Sequence, residues 1–407
     1  MKDVLKRNIL ACYISDAVLG TFFQLPIWIV YQSKFLSFTE IAFFSGLALI
    51  SEVVMQLPTG AFADLFGRKL SLSLGNLFMA LPMFLIALYP QPEIMWLYSI
   101  TWGIGRALCM GTSKPMLYES LNKYGKIDLY PKILSRSVVT FQISAALSIA
   151  SGGYLYQISP ALPYFISGTA SLIGVFTAFL FIEDRAVASK FNFAKFTDTT
   201  KKGFSEIFKN SYMTKLTILF VLIQGIGLTN QQFFTQPFML ELGMNDIQRS
   251  WAAMIIKLTI ALAGAKMLST KKLFNNKFFI LVIPLLMIIS LIPARFVTLP
   301  LAYFVLVGIA FTSGNVDLFL SPEIHKHLNN SIRSTSISAQ RMLSSTVGAI
   351  VQWISAPVII SQSIGHFYSY LGLFALIIIM PLAFNLMNHK HKFAINSVQI
   401  PNPEVFK

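Results

Sequence analysis

Gly60-Ala-Phe-Ala-Asp64-Leu-Phe-Gly67-Arg68-Lys69 separates two long apolar runs, one closing near residue 63 and the next opening near residue 70. Its glycines permit close packing and a tight turn, and its basic pair resists entry into lipid. A helix rising ~1.5 Å per residue needs about 20 apolar residues to cross a hydrocarbon core. The stretch therefore reads as the turn of a hairpin between two membrane-crossing helices.

The same rule places twelve spans near 8–30, 41–63, 70–89, 93–118, 132–156, 162–182, 212–238, 246–268, 277–293, 299–322, 333–359 and 366–388. Composition agrees. Of the 407 residues 55% are hydrophobic and only 12% charged, whereas a soluble domain carries about 25% charged residues. The expected fold is all-α and membrane-integral, two pseudo-symmetric six-helix bundles.

Net charge is +15. Nucleic-acid binding would need these cations clustered on a soluble face. Here they form short clusters between apolar runs, so no nucleic-acid partner is expected. With the N-terminus inside, only Lys34, Arg249 and Arg295 lie outside, and five more fall within spans: Arg106, Lys114, Lys257, Lys266 and Arg341. The rest gather on the inner side, as the positive-inside rule requires of an even span count with both termini cytoplasmic. The first apolar run is too long for a signal-peptide core and is expected to remain as a span. Cys12 and Cys109 have no motif partner, so neither a disulfide nor a metal site is expected.

The spans group into an N-terminal bundle (1–182), a basic linker (183–211), a C-terminal bundle (212–388) and a tail (389–407). The linker reads either as an amphipathic segment on an anionic inner leaflet or as a solvated tether. Phe22-Phe23-Gln24-Leu25-Pro26 in span one is echoed by Phe233-Phe234-Thr235-Gln236-Pro237 in span seven, and Gly60 before Arg68-Lys69 by Gly264 before Lys271-Lys272. Echoes at matching topological places point to a duplicated six-helix unit.

The Gly60–Lys69 turn resembles the signature loop of the major facilitator superfamily, G-x-x-x-D-x-x-G-R-K, between spans two and three. The resemblance implies two six-helix bundles around a central cavity, alternating access, and a conformational latch formed by Gly60, Asp64, Gly67, Arg68 and Lys69. Glu52-Val-Val-Met-Gln-Leu-Pro58-Thr59 and Leu117-Tyr118-Glu119-Ser120-Leu121 are similar to a bacterial, efflux-like branch. The span-five antiporter signature survives only as Ser151-Gly152-Gly153, without its proline.

Ionisable groups inside a membrane cost several kcal/mol unless paired or hydrated, and so mark function. Asp16, Glu52 and Arg106 lie at comparable depth, roughly 12–18 Å from the inner surface at ~1.5 Å per residue. Together they would form a site of net charge −1 suited to carrying a proton, or else a structural ion pair. Lys257 stands mid-span, facing an acid of the other half or an anionic group of a solute. Gln224, Gln231 and Thr235 recur at helical spacing in span seven, opposite Asp16, Gly20, Phe23 and Gln24 of span one. With Arg106 and Lys257 these are the expected cavity residues, walled by aromatics such as Phe22, Trp28, Trp102, Phe233 and Phe234.

The expected activity is secondary active transport of a small organic, amphiphilic solute, cationic or zwitterionic to suit the acids of the first half, with protons as coupling ion, exported across a bacterial inner membrane by a monomer embedded in the lipid bilayer. No cofactor and no metal are expected. Uptake or facilitated transport of a metabolite or siderophore is the alternative, and a non-transporting receptor a third reading. No nucleophile–base spacing points to an enzyme.

Overall fold

The computed structural model describes residues 2–183, 193–270, 276–299, 301–314, 316–329 and 332–388. The expected tail (389–407) and residues 184–192 of the linker lie outside these. Among the described residues the chain is helical, without a strand.

Seven spans have an uninterrupted α-helix as their main body: the second (Phe38–Phe66), third (Arg68–Leu88), fifth (Tyr130–Ile158), sixth (Leu162–Thr177), eighth (Asp246–Thr270), ninth (Asn276–Leu291) and eleventh (Arg333–Ser361). Local chemistry sets their ends. Ser37 and Glu40 form a reciprocal capping box that starts the second span. Gly67, at φ 99°, ends it and turns the chain directly into the third.

The first span is interrupted between Lys2–Leu19 and Trp28–Gln32, and the fourth between Pro92–Cys109 and Ser113–Lys123. The seventh carries a π turn, Asn230–Phe234, between Ser211–Thr229 and Thr235–Glu241, and a second π turn, Ala375–Ile379, lies in the twelfth. The tenth is described as two runs, Leu301–Gly314 and Val316–His327. The two echoing stretches of sequence, 22–26 and 233–237, thus both fall where their spans leave regular α-helix. Among the described residues eight helical runs are long and apolar enough to cross a membrane. The spans outside that set are the first, fourth and tenth, described in pieces, and the eighth, with Asp246, Arg249 and Lys257 along it.

Within the first half, the start of span one is tied to the end of span six. Arg7 donates to the carbonyls of Leu180 (2.7 Å) and Phe179 (3.1 Å), while Asn8 donates to Ile182 O (2.9 Å) and accepts from Ile182 N (2.8 Å). One residue on, the Glu183 carboxylate accepts from the backbone N–H groups of Arg68 (2.8 Å) and Lys69 (3.2 Å), capping span three. The Arg68 side chain pairs with Glu119 at 2.5 Å. Replacing Glu183 by Ala orphans those donors and is expected to lower stability by about 1 kcal/mol, read as a fall in the thermal unfolding midpoint of the purified protein. An unchanged midpoint would remove Glu183 as the cap.

The signature turn differs from expectation at two residues. Among the described residues no atom lies within 4 Å of the position a Cβ on Gly60 would take, so none of the described helices approaches it closely. Asp64 is exposed and has no partner among the described residues. The helix start that the turn does serve is that of span three, and Glu183 supplies the carboxylate there.

The described part of the linker is a helix, Phe193–Ile207, packed on the second half. Ile207 is fully buried, its carbonyl accepting from Thr217 (3.0 Å). The Glu206 carboxylate accepts from Asn329 N–H (3.0 Å), and Lys209 donates to His327 O (2.5 Å). Here it is neither a free tether nor a segment lying only on lipid.

Candidate functional site

Spans two and four approach at Gly103, where an added Cβ would sit 2.6 Å from Glu52 N and 2.7 Å from Ala48 O. This backbone-to-backbone contact carries Arg106, almost one turn further along, to the Glu52 side chain, with Nε 3.7 Å from Oε2. Met95, Tyr98, Ser99, Trp102 and Arg106 follow helical spacing and share one face of span four. That face lines a cavity of about 350 Å³ between the halves. Tyr98 and Trp102 stack with ring centroids 5.9 Å apart and planes 6° from parallel.

The cavity is completed by Phe22, Gln24, Trp28 and Gln32 of span one, Phe44 and Glu52 of span two, Phe141 of span five, Gln231 and Gln232 of span seven, and Lys257 of span eight. Gln24 is oriented by Ser167, whose hydroxyl donates to its Oε1 at 2.6 Å. Lys257 makes no hydrogen bond or ion pair among the described residues, and it lines the same cavity as Arg106.

One side of the cavity is sealed by the two halves. Trp353 packs over Gly46 and Phe43, its Nε1 donating to Phe43 O (3.3 Å). Ser250 accepts from Gly153 N–H (2.7 Å), and Trp251 donates to Tyr154 (3.0 Å). Phe233 meets Trp28 and Phe38. All of these lie on the side away from the N-terminus. Where both partners are described, every hydrogen bond and ring contact between the halves is on that side. Gly60, on the other side, faces open space.

A second buried polar cluster lies outside the cavity. Asp16, 6% exposed, is bonded by Lys114 of span four and Ser137 of span five, and Cys12 lies 3.9 Å away. Lys114 also donates to Ser137 and lies 3.7 Å from Cys12. The three spans meet here around one carboxylate and one ammonium.

Two membrane-spanning halves with a central cavity between them, closed on one side, form the architecture that the signature turn implies. The family model described as Major Facilitator Superfamily matches residues 9–352, and the chain belongs to that family. Its described helices make it a multi-pass, all-α membrane protein of that family. It is 25% identical over 232 residues to the uncharacterized MFS-type transporter YxaM of Bacillus subtilis (strain 168), covering 54% of this chain and 55% of that protein. It is 23% identical over 230 residues to multidrug resistance protein 1 of the same organism, covering 56% and 57%. The chain thus spans little more than half the length of these relatives. Among solved structures, the nucleoside transporter NupG superposes with a TM-score of 0.76 over 95% of this chain and 100% of that one, at 15% identity. That likeness concerns the fold alone.

Of the residues named from the sequence, Gln24, Glu52, Arg106, Gln231 and Lys257 are brought together at the cavity. Asp16 is not among them. The expected trio of Asp16, Glu52 and Arg106 is replaced by two separate pairs, because Lys114 reaches Asp16 from beyond the break in span four. Gly20 instead packs on Phe141 O, and the Phe23 carbonyl lies against Gly152. Gln224 and Thr235 are not among the residues that line the cavity. The π turn inserts between them, and the Thr235 hydroxyl donates to Asn230 O at 2.7 Å. Tyr98 and Lys114 were missed as site residues. The four-residue steps joining Tyr98, Trp102 and Arg106 carried a usable signal.

Proposed function

We propose that this transporter exports a small amphiphilic organic solute across a bacterial cytoplasmic membrane in exchange for protons, by alternating access, as a monomer with both termini inside. The observation that carries this reading is the cavity between the halves, sealed on the outer side by Trp353, Trp251 and Phe233 while Gly60 and Asp64 are free on the inner side. In this reading the bundles 1–182 and 212–388 rock about the linker 183–211, and Gly60 to Lys69 engages the second half when the inner side closes.

Asp16 is the proposed proton carrier. It is a buried carboxylate whose pairing with Lys114 spans two helices, so its protonation state bears on how those helices hold together. Glu52 and Arg106 serve the cavity. Export is supported by the likeness to multidrug resistance protein 1. The test is transport in proteoliposomes of known orientation under an imposed pH gradient. Solute accumulation driven by protons moving the opposite way is expected. Accumulation with protons moving the same way would replace export by uptake, and movement indifferent to the gradient would remove proton coupling.

A further inference from the structure

The charge inside the cavity does not balance. Among the described residues its lining holds one carboxylate, Glu52, against two cations, Arg106 and Lys257. Glu52 meets Arg106 by one contact at 3.7 Å, beyond hydrogen-bond range, which leaves the guanidinium fork open to the cavity. Its side chain is 34% exposed there. Lys257 has no counter-ion among the described residues and lines the same cavity as Arg106. Two cations lining one cavity within a membrane are stabilised by an anion placed between them.

The walls define the remainder of the ligand. Tyr98 and Trp102 present a stacked pair of rings, with Trp28 and Phe22 lining the same space. About 350 Å³ falls within the size range of pockets for drug-sized ligands. Resting on the transporter reading above, we infer that the cavity takes an aromatic organic anion, with its carboxylate or phosphate held by Lys257 and Arg106 and its rings against Tyr98 and Trp102. An organic cation is the wrong partner for this site. An anion also leaves a negatively charged interior downhill in potential, so the assignment fits export.

The test uses the full chain in nanodiscs with four ring-matched probes: 1-naphthoate, 1-naphthyl phosphate, 1-naphthol and 1-naphthylmethylamine. Binding is followed by quenching of tryptophan fluorescence. At least one anion is expected to bind about tenfold or more tightly than the alcohol and the amine. Which anion binds separates a carboxylate site from a phosphate site. Lys257→Gln and Arg106→Gln are each expected to weaken that anion by about tenfold, Lys257→Arg to retain it, and Glu52→Gln to tighten it.

Equal or tighter binding of the amine, or binding of neither anion, overturns the assignment. So does an unchanged anion affinity in Lys257→Gln. Should either glutamine variant misfold, the direction of the Glu52→Gln effect still decides. Exchange of the bound probe in proteoliposomes is read separately. A transported amine would refute the anion assignment and leave the transporter reading standing, whereas a bound anion that is never transported would do the reverse.

Discussion

Asp16→Asn is expected to abolish transport driven by a pH gradient while leaving solute exchange at equal pH intact. The asparagine keeps the size of the side chain and loses both its charge and its ability to take up a proton. Lys114 then remains with Ser137 and Cys12 but without a carboxylate. Breaking a buried ion pair from one side costs about 3–5 kcal/mol. The Lys114 side chain is 32% exposed, so water recovers part of that loss and the low end applies. The double variant Asp16→Asn with Lys114→Gln removes both charges and is expected to regain thermal stability without regaining coupling. If the double variant recovers gradient-driven transport as well, the pair is structural and the proton travels elsewhere.

A covalent bridge across the sealed side is expected to stop transport almost completely. Phe43 and Trp353 stack with centroids 6.1 Å apart, one from each half, and Trp353 fills the groove over Gly46. Cysteines at both positions, joined by a short cleavable bifunctional reagent, would hold the halves in the arrangement seen here. The native Cys12 and Cys109 are buried and are replaced by serine in the background chain. Alternating access needs this contact to open once per cycle. Cleaving the bridge should therefore restore activity, whereas full activity in the bridged protein would show that the contact does not gate passage.

Much of the architecture was legible because its signals are local. Apolar run length and the side on which lysines and arginines fall do not depend on how helices pack, so the span positions could be read directly. The breaks were less visible. Residues 93–118 read as one span, yet the helix stops at Cys109 and restarts at Ser113, with Gly111 between at φ 71°. Counting residues gave Asp16 and Arg106 similar heights in the membrane but could not say which helix each would face. Lys114 entered the count only as one of the charges within spans, and it proved to be the partner of Asp16. In the seventh span a π turn interrupts the α-helical spacing between Gln231 and Thr235, and only Gln231 lines the cavity. Packing decides azimuth, and packing is not periodic in sequence.

The contact between Asn8 and Ile182 brings the beginning and the end of the first half together. An even number of crossings returns a six-helix unit to the side from which it started, and here the return is close enough for hydrogen bonds. Such a unit closes on itself before the second copy begins. Tandem fusion of two copies then needs only a tether on that one side, and neither copy must be re-threaded to admit the other. The chain order within the first half is in the same way open to circular permutation, with new ends cut at one of its turns and residues 8 and 182 joined by a few residues of loop.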